Sequence, residues 1–80
     1  MKKKPESLIA LGNRIKHIRT QKQFSQEQLA EACNFDRTYI SLVERGLRNP
    51  SFTNLCKFAV GLGVSVSDLT SNQNHEDNEQ

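Results

Sequence analysis

Apolar side chains recur every three or four positions along most of the chain, which is the period of an amphipathic α-helix. The first such stretch has leucine or isoleucine at positions 8, 11, 15 and 18, with basic residues beside them, and predicts a helix from about Ser7 to Gln23. No segment alternates apolar and polar residues for long enough to indicate a β-strand. The pattern therefore predicts an all-α protein.

Capping residues divide the rest of the chain into four more short helices. The segment Ser25–Gln28 has the form of a capping box, in which a serine hydroxyl and a glutamine side chain each bond a backbone amide at a helix start. This second helix is expected to end at Asn34, because asparagine tolerates the left-handed backbone of a sharp turn. By similar signals the third helix is expected to lie between Asp36 and Gly46, and the fourth between Ser51 and Gly63. A fifth helix is expected to begin at Ser65.

The size of the chain limits it to one small domain. It has 80 residues, 35% of them hydrophobic, and a core of that size often gains stability by oligomerisation, which favours a homodimer. The net charge is +2, yet the last ten residues carry three acidic side chains and no lysine or arginine. These features predict a basic N-terminal arm over residues 1–6, a folded domain over 7–70 and a disordered polar and acidic tail over 71–80.

The remaining chemistry of the sequence excludes several classes of protein. Cys33 and Cys56 lie within helical apolar patterns and are interpreted as core residues in a reducing compartment. The alternative, a disulfide or a redox switch, requires the two thiols to lie close together or one of them to be exposed. Nothing in the spacing of residues indicates a metal site, a cofactor, a small-molecule effector or an enzyme. No apolar run approaches the roughly 20 residues of a membrane helix, so the expected location is the cytoplasm.

The segment from Ser25 to Arg45 has the layout of a helix-turn-helix, in which two short helices are joined by a three-residue turn. Ile40 and Val43 mark the inward face of the second helix, so its other face points to solvent. That outward face carries Arg37, Thr38, Ser41 and Arg45. Arginine can donate two hydrogen bonds to a guanine edge, and Arg37 lies at the helix end that enters the major groove in this motif. Taken alone, Arg37 would be read as an ordinary solvated arginine.

Four motifs together resemble a known family, and they are Phe24–Ala30, Asp36–Ser41, Val43–Gly46 and Arg48–Ser51. They are similar to those of the lambda-repressor-like, or Cro/C1-type, helix-turn-helix proteins, and most of all to the controller proteins of restriction–modification systems. The resemblance implies a five-helix domain with its helix-turn-helix at helices 2 and 3. It also implies a transcription regulator, an activator or a repressor, that binds double-stranded DNA sequence-specifically as a homodimer on a pseudo-palindromic operator. The alternative is an antitoxin or another protein-interaction module with the same fold.

The resemblance also assigns contacts to individual positions. Gln26 matches a residue that hydrogen-bonds a phosphate, whereas Arg37 and Thr38 match residues that read base edges. Tyr39 and Ser41 match residues that approach the neighbouring backbone or groove. For Tyr39 the alternative is packing against a neighbouring helix.

The loop after the recognition helix also reaches DNA in controller proteins, and here it contains Arg48 and Asn49. The sequence departs from the family pattern at Asn34, where many members have glycine, and at Leu42, where several repressors have a polar residue that reads a base. The complete predicted DNA-binding set is Gln26, Arg37, Thr38, Tyr39, Ser41, Arg45, Arg48 and Asn49.

Two further expectations concern an ion pair within the domain and the surface through which it dimerises. The resemblance implies an ion pair between Arg19 on the first helix and Glu44 near the end of the third. A dimer surface is expected on the fourth and fifth helices, because their apolar side chains exceed what so small a domain can bury. The predicted dimer contacts are Phe52, Phe58, Val64, Val66 and Leu69.

Overall fold

A computed structural model of the protein describes residues 5–71, which form five α-helices and, over that range, no strand. The helices are α1 (Glu6–Gln21), α2 (Gln26–Cys33), α3 (Arg37–Glu44), α4 (Phe52–Leu62) and α5 (Val66–Thr70). The predicted all-α, five-helix fold is therefore confirmed. The predicted acidic tail, apart from residue 71, and residues 1–4 of the predicted arm lie outside the described residues.

The helix starts agree with the sequence signals at three of four caps. Ser25 and Ser65 form complete capping boxes, and the Ser51 hydroxyl accepts a hydrogen bond from a backbone amide of α4. Asp36 occupies the predicted N-cap position of α3, but its side chain makes no capping hydrogen bond. The first helix begins at Glu6, one residue earlier than predicted, because the carbonyl of Pro5 already accepts bonds from the amides of residues 8 and 9.

Four helices end in the same way, with one residue in the left-handed conformation. These residues are Gln23 (φ 65°), Asn34 (φ 63°), Gly46 (φ 74°) and Gly63 (φ 72°). After each of them the next amide bonds back five residues, as in the 2.9 Å bond from the Leu47 amide to the Leu42 carbonyl. This pattern satisfies carbonyls that a helix end would otherwise leave unpaired.

The inward faces of all five helices meet in one core. Its largest fully buried side chains include those of Ile15, Leu29, Ile40, Leu62 and Phe58. The short α5 is fixed to α1 by the Arg14 guanidinium, whose Nε donates to the carbonyl oxygen of Asp68 at 2.9 Å.

The structure corrects the prediction of the dimer surface at two residues. Phe58 and Leu69 are both 0% exposed, so neither can contact a second copy without unfolding the core. The Phe58 ring lies 5.0 Å from that of Phe35, and Leu69 belongs to the same buried cluster. Val64 and Val66 are half-buried against this core, and Phe52 alone among the five is largely exposed, at 70%.

A buried ion pair sets the position of α3 relative to α1. The Arg19 Nε donates to Oε2 of Glu44 at 2.6 Å, and its Nη2 donates to Oε1 at 3.1 Å. The remaining guanidinium nitrogen, Nη1, donates to the Phe24 carbonyl at 2.8 Å. Gly12 lets the two helices approach closely, because a Cβ there would collide with the carbonyl oxygens of Val43 and Glu44. The ion pair expected from the resemblance is therefore present.

Removing one partner of this pair should destabilise the domain strongly. In Arg19→Met the Glu44 carboxylate stays buried without its main partner, and we expect the free energy of unfolding to fall by about 3–5 kcal/mol. Urea denaturation followed by circular dichroism measures this loss. The double variant Arg19→Met/Glu44→Leu removes the uncompensated charge, so it should lose less than the sum of the two single variants. Simple additivity would show that the two groups are not coupled.

A substitution at Gln23 should instead stabilise the domain, because holding a side chain in left-handed backbone costs about 1–2 kcal/mol of stability. We expect Gln23→Gly to raise the free energy of unfolding by about 1 kcal/mol, since glycine adopts this backbone without the Cβ clash. The matched control is Gln21→Gly, which places the same residue in helical backbone and should lower stability by a similar amount. A destabilised Gln23→Gly would contradict the assignment of strain to this turn.

Candidate nucleic-acid interface

The outward face of α3 presents the side chains that the sequence assigned to it. Arg37, Thr38 and Arg45 are exposed and Ser41 is half-buried, while the opposite face carries Ile40 at 0% exposure. These four polar residues share one side of the helix because they are spaced by three or four residues or lie next to each other. The carboxylate on this side, that of Glu44, is buried and accepts hydrogen bonds from Arg19 and Gln26, so the exposed charge of the face is that of its arginines.

Arg37 stands at the start of this face, directly after the N-cap Asp36. An arginine in the first turn of a helix projects from the helix end that leads into a major groove. The next residue, Thr38, adds a methyl group and a hydroxyl beside the guanidinium, which is chemistry suited to a thymine methyl or a phosphate.

Gln26 has a role that the sequence did not reveal. Its side-chain Nε2 donates to Oε1 of Glu44 at 3.0 Å, so the first residue of α2 belongs to the buried ion-pair network. A carboxamide nitrogen carries two hydrogens, and the second remains for an outside acceptor such as a phosphate. Local sequence patterns could not reveal this bond, because it joins residues 18 positions apart.

Tyr39 packs against α4, as the alternative interpretation expected, and against the turn between α2 and α3. Its ring lies 4.8 Å from that of Phe35 and 6.2 Å from that of Phe58, measured between centroids. Its hydroxyl accepts a hydrogen bond from the Asn54 side-chain amide at 3.0 Å, so it is anchored to α4. The hydroxyl hydrogen can still be donated to a phosphate, and the contact with DNA therefore stays a prediction.

The loop after α3 carries its two predicted residues at the surface. Arg48 and Asn49 are exposed, and the Arg48 guanidinium carbon lies 5.9 Å from the centre of the Tyr39 ring. The loop leaves α3 through the left-handed residue Gly46, which fixes its direction. Arg48 therefore stands beside Tyr39 and extends the cationic surface beyond the end of the helix.

The structure also places two residues of α1 at this surface that the sequence motifs did not indicate. Asn13 and Lys16 line a groove together with the predicted contacts Gln26, Ser41 and Arg45. The available signal was spacing, because positions 9, 13 and 16 fall on one face of a helix. Spacing alone does not show that this face of α1 lies next to α3, because that depends on how the two helices cross.

The two cysteines differ in their surroundings. Burial raises the pKa of Cys33 to about 11, so its thiol remains protonated and unreactive near neutral pH. Cys56 is half-buried on α4. Neither residue belongs to a cluster of three or more metal-ligating side chains in the range 5–71. Within that range no helix has the length and the apolar composition needed to cross a bilayer.

Comparison with known proteins places this geometry among DNA-binding regulators. The helix-turn-helix family HTH_3 matches residues 15–69. The control protein C.MunI of a Mycoplasma species is 45% identical over 64 residues, which cover 79% of this chain and 86% of that protein. Among solved structures, the restriction–modification controller protein C.AhdI from Aeromonas hydrophila aligns with a TM-score of 0.80 at 40% identity, covering 81% of this chain and 98% of that one.

A third relative was solved on its DNA. The C.Esp1396I controller tetramer in complex with its natural 35 base-pair operator aligns with a TM-score of 0.73 at 43% identity, covering 76% of this chain and 80% of that chain. The family resemblance that the sequence motifs carried is confirmed by these matches, which span the helix-turn-helix and the helices around it. The chain belongs to the helix-turn-helix family HTH_3.

Proposed function

We propose that this protein is a sequence-specific DNA-binding transcription regulator of the controller type, which acts as a homodimer on a pseudo-palindromic operator. The observation that carries the proposal is the exposed α3 face, where Arg37, Thr38 and Arg45 stand on a helix whose opposite side is fully buried. The relatives described above support it, since one of them was solved as a tetramer on a 35 base-pair operator. The site of action is the cytoplasm, and we assign the chain no catalytic role.

The proposed contacts fall into two groups with different effects. Arg37 and Thr38, at the entering end of α3, read base edges and give discrimination between sequences. The remaining side chains contact the sugar–phosphate backbone and give affinity that falls steeply with salt. This second group is Gln26, Tyr39, Ser41, Arg45, Arg48 and Asn49.

The dimer surface follows from the outer face of α4. Phe52 and Val60 are 70% and 80% exposed, and the half-buried Cys56 lies between them at a spacing of four residues. Because the inner face of α4 is already packed into the core, this second apolar stripe is free for a partner. A two-fold axis next to α4 would pair the stripe with its own copy and bury both. Val64 and Val66, half-buried nearby in the chain, remain candidate contacts at the edge.

Arginine 37 provides the test of base recognition. Once selection from random duplexes has identified the preferred operator, Arg37→Ala should weaken operator binding by about 1–3 kcal/mol per half-site and leave binding to random DNA nearly unchanged. Fluorescence anisotropy on both duplexes measures the difference. The matched control is Arg48→Ala, which removes a proposed phosphate contact and should weaken both complexes equally. Equal losses for Arg37→Ala would place its guanidinium at the backbone instead.

The dimer surface can be tested by introducing glutamate at each of two exposed apolar residues, one inside the proposed interface and one outside it. Val60→Glu places a carboxylate in the proposed α4 stripe, and we expect sedimentation velocity at micromolar concentration to shift from a dimer to a monomer. Leu47→Glu, at a residue 48% exposed on the loop after α3, should leave the dimer intact. A monomeric wild type, or a Val60→Glu variant that remains dimeric, would refute this interface.

A further inference from the structure

A groove of about 480 Å³ runs between α1 and the C-terminal half of α3. One wall is a single face of α1, because Ile9, Asn13 and Lys16 follow each other at intervals of four and three residues. The other wall contains Ser41 and Arg45, which stand one helical turn apart. The groove is therefore continuous with the DNA-facing side of α3.

The accessible charge of this groove is positive although Glu44 lies at its base. The Glu44 side chain is only 2% exposed, and both of its oxygens accept hydrogen bonds from Arg19 or Gln26. Lys16 is exposed on the opposite wall and forms no ion pair with any residue between positions 5 and 71. An anion entering the groove meets the Lys16 ammonium, while the carboxylate is shielded and neutralised.

The groove also has an apolar component that a simple ion site does not need. Ile9 and Leu47 are 36% and 48% exposed and both line it. Alternating anionic and apolar groups are the chemistry of a sugar–phosphate backbone, in which deoxyribose carbons separate the phosphates. A strand of a duplex that contacts Ser41 and Arg45 would pass directly over this mixed surface.

We propose that the groove seats the backbone of one DNA strand, with Lys16 and Asn13 of α1 as additional phosphate contacts. The proposal rests on the proposed function and deepens it. Lys16 supplies a point charge, Asn13 supplies amide donors, and the second N–H of Gln26 reaches the same phosphate from α2. Because the Arg19–Glu44 pair holds α1 and α3 together, a phosphate fixed against α1 also fixes the depth to which α3 enters the groove of the DNA.

Substitution of Lys16 tests the proposal through the salt dependence of binding. Each protein cation that neutralises a phosphate adds about 0.9 to the slope of log K against log salt concentration. Lys16→Gln should therefore lower the magnitude of that slope by about 1 per protomer, and weaken binding to the operator and to a random duplex by the same factor. Lys16→Arg should restore the slope.

The matched control is Lys22→Gln, at the C-cap of the same helix. The Lys22 ammonium lies beside Gly63, 4.0 Å from where a Cβ on that residue would stand, and it does not line the groove. Both variants lower the net charge of the protein by one, so any general electrostatic effect is common to them. Thermal melts of both variants establish that they are folded before binding is measured.

The outcomes separate the two proposals. A wild-type protein that binds duplexes with a steep salt dependence, together with identical slopes for Lys16→Gln and Lys22→Gln, would overturn the groove and leave the proposed function intact. A Lys16→Gln variant that loses affinity only for the operator would also overturn it, because a phosphate contact does not discriminate between sequences. A folded wild type that does not bind duplexes at low salt would overturn both.

Discussion

The relative placement of α1, α2 and α3 depends on one buried ion pair. The Arg19 guanidinium uses its Nε and Nη2 for the Glu44 carboxylate and its Nη1 for the Phe24 carbonyl, and Gln26 completes the bonding of the carboxylate. Burying two charges costs several kcal/mol per ion before pairing is counted, so the arrangement is favourable only when every donor and acceptor is in place. We infer that the pair selects one geometry of the three helices more than it adds stability. Both walls of the proposed DNA-binding groove, on α1 and on α3, depend on that geometry.

Local chemistry explains why most of the fold could be predicted from the sequence. A serine cap, a left-handed residue and a stripe of apolar side chains each act within a few residues, and Ser25, Asn34, Gly46 and Ser51 occupy the positions that they signalled. The exposed side of α3 was accessible for the same reason, since Ile40 fixes the inward face of an eight-residue helix. The Arg19–Glu44 pair was different, because it came from family resemblance and not from any local pattern.

What could not be predicted depends on contacts between distant parts of the chain. The fourth helix is apolar on two sides, and periodicity does not say which side is inward, so Phe58 was assigned to a dimer surface when it belongs to the core. The bonds of Gln26 to Glu44 and of Asn54 to Tyr39 span 18 and 15 residues and left no trace in local spacing. Lys16 likewise resembled any solvated lysine until the approach of α1 to α3 placed it across from Ser41.

The proposed dimer surface lies on α4, and α4 also packs against α3, which carries the proposed DNA-binding face. The geometry of the dimer therefore affects how the two copies of α3 are placed on DNA. Asn54, in the first turn of α4, bonds the Tyr39 hydroxyl, and the rings of Phe35, Tyr39 and Phe58 pack together between α3 and α4. The recognition helix cannot tilt relative to α4 without separating these rings, while the ion pair restrains its other end. In a dimer joined through α4, the distance between the two recognition helices is then set by how α4 packs on its copy. In the proposed contact scheme Arg37 and Thr38 read the bases within each half-site, and neither residue lies on α4. Base preference would then vary independently of the half-site spacing that the α4 contact sets.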